Sequence, residues 1–383
     1  MSTTPANATP APGPRAPHFA ADLYSFQWSN FSFWLPLVSA LAVALCLFVG
    51  ILAGHPGGGL IAAGGAFTIG FGANQRIADS RLIPMIAAVF ATSTATLAGT
   101  LAGHRDYWLV IAAGISAFIY GVLTTRNTGL SWVGQQASVA LLVASAFPTG
   151  PEPAFVRAGL IAAGGFVQLL ITTAGLRLFP NLGKDLLSIY ITVRNTVQDQ
   201  EHEFARRVRE LPRTFQPFSA AAALGYSLRL VVTMVVATEV YRRIGVQSGY
   251  WIPMTALLVQ KPAFAETLTR ATARILGTLA GAWLCSLLIA HMVPGPVVLA
   301  VMAIIFALLA FATNSVNYGL FTACLTAYIV FLLSLNQIPG PVIAHRRAWC
   351  TLLGGLIALV IHIDALRQLR ASKLRTVAEN LSV

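Results

Sequence analysis

The residues best able to do chemistry lie in one stretch: Tyr250-Trp251-Ile252-Pro253-Met254-Thr255, then Gln260-Lys261-Pro262, then Arg270, Arg274, Gly277-Thr278 and Gly281. Pro262 suits the first turn of a helix, and Thr267 or Thr269 can cap the helix that follows. A helix start presents free N–H groups and partial positive charge, and with Lys261, Arg270 and Arg274 added it makes a candidate anion site. Arg270 and Arg274 are one helical turn apart, share a face and can act on one passing anion. Arg229 and Arg274 lie nearest to apolar sequence, where a charge is costly unless it faces a cavity or a partner.

Each of these residues also has a plainer reading. Lys261 and Arg270 can be anchors whose side chains snorkel to a membrane interface. Tyr250 and Trp251 either stack on an aromatic substrate or form part of an interfacial aromatic belt. Gly277 and Gly281, with Gly99 and Gly103, read as Gly-x3-Gly helix-packing pairs, and Thr278 as a hydroxyl bonded to its own backbone. A carboxylate that alternates between a proton and a cation would serve coupling to protons, and the candidates are Glu239, Glu266, Asp79 and Asp364. Glu239 lies within a turn of Arg242 and Arg243, so a surface ion pair also accounts for it, while Asp79 and Glu266 fit solvated loop charges. Cys46, Cys285, Cys324 and Cys350 sit in apolar runs as packing residues, with no metal-ligand spacing. No nucleotide-binding Gly-x4-Gly-Lys-Ser/Thr loop, Gly-x-Ser-x-Gly elbow or His-Glu-x2-His helix is present, so neither an enzyme nor a bound cofactor is expected.

The elements that must position these residues are membrane helices. Hydrophobic residues make up 56% of the chain and charged ones 10%, against about 25% charged in a soluble domain. Ten runs, from 33–54 to 349–363, approach the roughly 20 apolar residues that cross a bilayer, and two shorter ones at 57–72 and 250–260 bring the expectation to twelve. The fold class is thus all-α and polytopic. A net charge of +12 would suit nucleic acid only on a soluble basic face. Its distribution instead fits the positive-inside rule with both termini cytoplasmic: 19 Lys/Arg fall in inside segments and six outside, at Arg105, Arg157, Arg242, Arg243, Arg346 and Arg347. The Pro/Ala-rich opening lacks the pattern of a signal peptide and reads as a disordered, uncleaved tail.

Gly-Thr-Leu-Ala-Gly occurs at Gly99 to Gly103 and at Gly277 to Gly281, and Asn-x-Gly-Leu at Asn127 to Leu130 and Asn317 to Leu320. The two repeats are in register, which predicts a duplicated six-helix unit with parallel copies. The organisation expected is a cytoplasmic tail (1–32), a first membrane half (33–176), a cytoplasmic helical linker (177–218), a second half (219–364) and a basic tail (365–383). Leu186, Tyr190, Val193, Val197, Phe204, Val208 and Leu211 give the linker a coiled-coil-like stripe, laid on its own chain or on a second copy. Short or Gly/Pro-interrupted segments at matching positions, here 57–72 and 250–260, point to a transporter's binding site.

The Tyr-Trp, Pro, Thr, Gln-Lys-Pro, Arg, Arg-x2-Gly-Thr, Gly pattern of the second half resembles the fusaric acid resistance family, which includes the aromatic acid exporters. The resemblance is specific over about Leu224 to Leu335, where Arg229 also matches. It is looser in the first half, where Asn74, Arg76, Asp79 and Arg81 fill the loop. What it implies is proton-driven efflux of aromatic or other small organic acids through a bacterial-type inner membrane. Trp251, Thr255, Gln260, Lys261, Pro262, Arg270, Arg274, Thr278 and Arg229 would then line the pathway. A passive anion channel, as in the distantly related plant malate channels, and a non-transporting scaffold stay open. So do a homo-oligomer and an accessory efflux subunit as partners.

Overall fold

The computed structural model describes residues 25–77, 80–103, 107–178, 220–246, 248–291, 295–335 and 338–381, with backbone alone at 176–178, 220–223 and 364–381. Asp79, the whole of the linker stripe and the first 24 residues therefore lie outside the described residues. The chain forms α1 (Trp34–Leu52), α2 (Pro56–Gly70), α3 (Leu82–Ala102), α4 (Trp108–Thr124), α5 (Thr128–Ser145) and α6 (Pro151–Leu178). After the linker come α7 (Ala220–Ile244), α8 (Trp251–Val259), α9 (Phe264–His291), α10 (Pro296–Thr313), α11 (Tyr318–Ser334) and α12 (Gly340–Leu381).

Local chemistry sets the boundaries. Gly54 (φ 74°) and Gly245 (φ 62°) supply the left-handed residue just beyond α1 and α7. Pro56 and Pro296 open α2 and α10 in the first turn, where a missing N–H costs nothing. The Asn of each Asn-x-Gly-Leu repeat is an N-cap: Asn127 accepts from the N–H groups of Gly129 and Leu130, and Asn317 from that of Leu320. Each Asn→Ala change is expected to cost about 1 kcal/mol. A detergent-unfolding titration of the purified protein would register that loss.

Among the described residues seven helices, α1, α3, α6, α7, α9, α10 and α12, are long and apolar enough to cross a membrane, and α4 and α11 are shorter apolar helices. The sequence expectation of twelve spans differs from this for physical reasons. α8 has only 9 residues, α2 has 15 and is rich in glycine, and α5 carries Ser131, Gln135, Gln136 and Ser138. Large apolar side chains cover the outside of the bundle, among them Leu45, Phe48, Ile115, Leu228, Leu276, Trp283 and Val360. A helix that is apolar both inside and out belongs in lipid.

The packing pattern of the first six helices recurs in the second six. α3 packs on α5 as α9 does on α11, α2 on α6 as α8 on α12, α1 on α6 as α7 on α12, and α3 on α6 as α9 on α12. Across the two sets, α4 packs on α7 and α10 on α1. The Gly-x3-Gly pairs lie in these seams. A Cβ on Gly99 would collide with the Leu141 carbonyl and one on Gly103 with that of Ser145; one on Gly277 would strike Gly319, and one on Gly281 Ala323. The Leu-Ile-Ala-Ala-Gly-Gly stretches at Leu60 and Leu160 are partners, since Gly65 abuts Ile161 and Gly164 abuts Ala62. The four cysteines are buried and unpaired.

Candidate functional site: buried arginines between α8, α9, α11 and α12

After α7 the chain turns through Gly245 and Ser248, both at positive φ, and re-enters as α8. Nine residues reach only about 14 Å, less than half of a bilayer core. Such a half-helix is stable there only if protein satisfies its ends and flanks, and every α8 residue except Leu258 is buried. Its counterpart α2 is longer and runs on into a 3-10 turn, Phe71–Asn74, so the interruption is sharper in the second set. Tyr250 and Trp251 are each only 4% exposed. They form no interfacial belt. Their rings lie 4.9 Å apart, and the Arg347 guanidinium covers one face of Trp251 at 3.9 Å.

Arg274, on α9, is 2% exposed, and its Nη1 donates a long hydrogen bond (3.4 Å) to the Tyr318 hydroxyl. Arg270, one turn earlier and half-buried, stacks over the Tyr318 ring at 4.1 Å. Tyr318, Thr322 and Thr326 follow at four-residue steps along α11 and so share a face. Arg347, 1% exposed, donates from Nε to Thr326 at 3.1 Å. Arg274 and Arg347 thus meet α11 eight residues apart, about 12 Å along its axis. Thr255 packs on Gly354 of α12, and Thr278 lies one turn beyond Arg274 on α9.

Polar atoms in this region lack partners. Arg274 Nε, Arg347 Nη1, Trp251 Nε1, Thr255 Oγ1, Thr278 Oγ1 and both amide atoms of Gln260 are buried without a hydrogen bond. Thr278 does not bond to its own backbone, contrary to the sequence expectation. The ion pairs found among the described residues join Glu239 to Arg242 and Arg243, so no carboxylate faces either buried arginine there. An unpaired charge and an unmade hydrogen bond in a dry interior are both expensive. The arrangement can complement an anion that brings its own acceptors.

Sequence reasoning, which counts Arg347 among the outside charges, gives it no part in the site, and the structure buries it there. A signal was present: Pro-x2-Ala-x2-Arg-Ala-x5-Gly-Gly occurs at Pro151 to Gly165 and again at Pro341 to Gly355. The repeat puts Arg157 and Arg347 at one position of α6 and α12. Arg157 is instead half-buried, donating to the Phe147 carbonyl.

The other predicted residues sit around the loop that joins α8 to α9. Arg229 Nη2 donates to the carbonyls of Lys261 (3.2 Å) and Pro262 (2.8 Å), and the Tyr226 hydroxyl to that of Gln260. Thr267 accepts the Lys261 N–H at 3.0 Å and bonds His362 Nδ1 at 3.1 Å. Arg229 is therefore a brace of this loop, and Lys261 and the exposed Pro262 form part of its rim. Losing two charge-assisted bonds in Arg229→Ala is expected to lower stability by about 2 kcal/mol, measured in the same unfolding titration. Glu266 is exposed in the first turn of α9, where a negative charge suits the helix start. Glu239 is occupied by its two arginines on α7, ten residues beyond Arg229. Neither touches the buried cations. A cleft of about 280 Å³ at the far ends of α9 and α12 is lined by Ile289, Leu299, Leu335, Ile338 and neighbours, with no charged side chain among the described residues that line it.

Together, the lipid-facing exterior, the protein-wrapped half-helix and the buried cations define a multi-pass membrane protein with a polar interior. Residues 230–361 match the model of the fusaric acid resistance protein-like family, so the segment carrying the site is of that family's type. The chain is 27% identical over 146 residues to the uncharacterized protein slr1298 of Synechocystis sp., a stretch that is 38% of this chain and 19% of that protein. The chain therefore spans about a fifth of that relative's length. No solved structure matches the chain.

Proposed function

We propose that the protein is a secondary transporter that carries small organic anions, aromatic acids among them, out across a bacterial-type inner membrane under the proton gradient. The observation that carries this reading is the pair of buried arginines, Arg274 and Arg347, with no carboxylate partner among the described residues and unmade N–H groups between α8, α9, α11 and α12. A passing carboxylate would satisfy both needs at once, and guanidinium suits that geometry. The match of residues 230–361 to a fusaric acid resistance protein-like model supports the same substrate chemistry. In this reading the twelve helices are two parallel copies of a six-helix unit, as the recurring helix pairs and three in-register repeats support. The linker and both ends face the cytoplasm, as the basic-residue distribution supports.

Counterflow of radiolabelled benzoate-type acids in proteoliposomes, with and without an imposed pH gradient, tests the reading. Saturable exchange that a gradient accelerates is expected. Empty-liposome rates for every acid tried would end it.

A further inference from the structure

We infer that His362 is the group that carries the proton, and that it does so by loosening the loop between α8 and α9. The inference rests on the transport reading above and names the coupling residue within it. Asp79 and the Asp364 side chain lie outside the described residues, and of the other candidate acids Glu239 is held by two arginines and Glu266 is exposed. His362, by contrast, is 1% exposed, on the face of α12 that meets the loop. Its ring packs edge-on to Phe264 at 5.3 Å, and Nδ1 lies 3.1 Å from the Thr267 hydroxyl.

Thr267 connects this ring to the loop. Its oxygen accepts the Lys261 N–H and lies within hydrogen-bond reach of the carbonyls of Lys261 (3.2 Å) and Ala263 (3.1 Å). With the imidazole neutral and its proton on Nε2, the Thr267 O–H donates to Nδ1. When Nδ1 takes a proton, the bond reverses. The imidazolium N–H then donates to Thr267 Oγ, and the hydroxyl proton must swing to a loop carbonyl.

The charge matters more than the swing. The charged group facing His362 from α7 is Arg229, whose guanidinium holds the Lys261 and Pro262 carbonyls. Lys261 lies in the loop itself, Tyr226 on α7 bonds the Gln260 carbonyl, and α9 presents Thr267 and Phe264 to the ring. An imidazolium facing the Arg229 guanidinium repels the clamp that keeps the loop closed. Proton binding and loop closure therefore oppose one another, and by linkage whatever opens the loop also favours the proton. The loop leads directly to α9 and Arg274, so this places the proton step beside the anion's route.

Two experiments test the inference. In a version lacking the native cysteines, Val259→Cys reports on a fully buried position at the end of α8, and the exposed Ala263→Cys corrects for thiol chemistry. The ratio of their labelling rates with an impermeant thiol reagent is expected to rise about tenfold between pH 7.5 and 5.5. It should stay flat in His362→Gln, which keeps a neutral partner for Thr267. A flat ratio with His362 in place, or the same rise in His362→Gln, overturns the inference. In proteoliposomes, His362→Gln is expected to keep counterflow within about twofold while losing the acceleration by a pH gradient. Gradient acceleration that survives in His362→Gln refutes the proton role alone, whereas absence of flux in the parent protein refutes the transport reading.

Discussion

Arg274→Gln and Arg347→Gln should each lower organic-anion flux at least a hundredfold while leaving a protein that inserts and purifies normally. The reasoning is energetic. Both guanidinium groups are at most 2% exposed, and no carboxylate among the described residues offsets them. In the empty protein each is a burden, because a buried charge without an ionic partner carries a desolvation cost of several kcal/mol. Loss of flux with unchanged or raised resistance to unfolding separates a ligand-binding arginine from a structural one. Arg243, whose side chain is 75% exposed, supplies the control, and Arg243→Gln is expected to keep flux within about twofold. Parallel losses of stability and flux would instead make the two arginines braces of the α9, α11 and α12 seams.

Gly281→Ala is expected to cost about 3 kcal/mol or more and to leave little folded protein in the membrane. The added Cβ would strike the Ala323 carbonyl and the Thr326 Cβ, so α9 and α11 must part along the seam where Arg274 and Arg347 are held. Neither contact is the far end of a flexible side chain that could give way. Gly64, on α2, has nothing within 4 Å of the same position, and Gly64→Ala should stabilise by up to about 1 kcal/mol through helix propensity. Yield of monodisperse protein and its unfolding midpoint compare the two directly. If Gly281→Ala purified as well as Gly64→Ala, the close-approach account of the Gly-x3-Gly pairs would be wrong.

Much of the helical framework was legible because it follows from periodicity and turn chemistry. Asn127 and Asn317 marked matching breaks between apolar runs, the shortness of 250–260 announced a half-helix, and the paired glycines announced seams. Within the site, Arg274 was legible as a cation beside apolar sequence. Whether Trp251 faced lipid or protein was not, because a belt residue and a core residue look alike until the neighbour that covers the ring is known. Arg347 was lost for a related reason. Next to Arg346 near the start of a helix it looked like a rim charge, and only the partners Thr326 and Trp251, more than twenty residues away in sequence, draw it inward. Arg229 lay in apolar sequence as read, yet its partners are backbone carbonyls across a loop, which composition does not reveal. Arg157 and Arg347 stand at matching places of one sequence motif with different burial, so the motif alone does not say which arginine is drawn inward.

Locating a bound substrate analogue tests the central claim most directly. An experimental structure of the protein with 4-iodobenzoate, its iodine placed by anomalous scattering, is predicted to show the carboxylate at Arg274 or Arg347 between α8, α9, α11 and α12. That signal should disappear in Arg274→Gln combined with Arg347→Gln. Iodine bound elsewhere, or unchanged occupancy at this site in the double variant, would contradict the assignment of the buried arginines as the anion site.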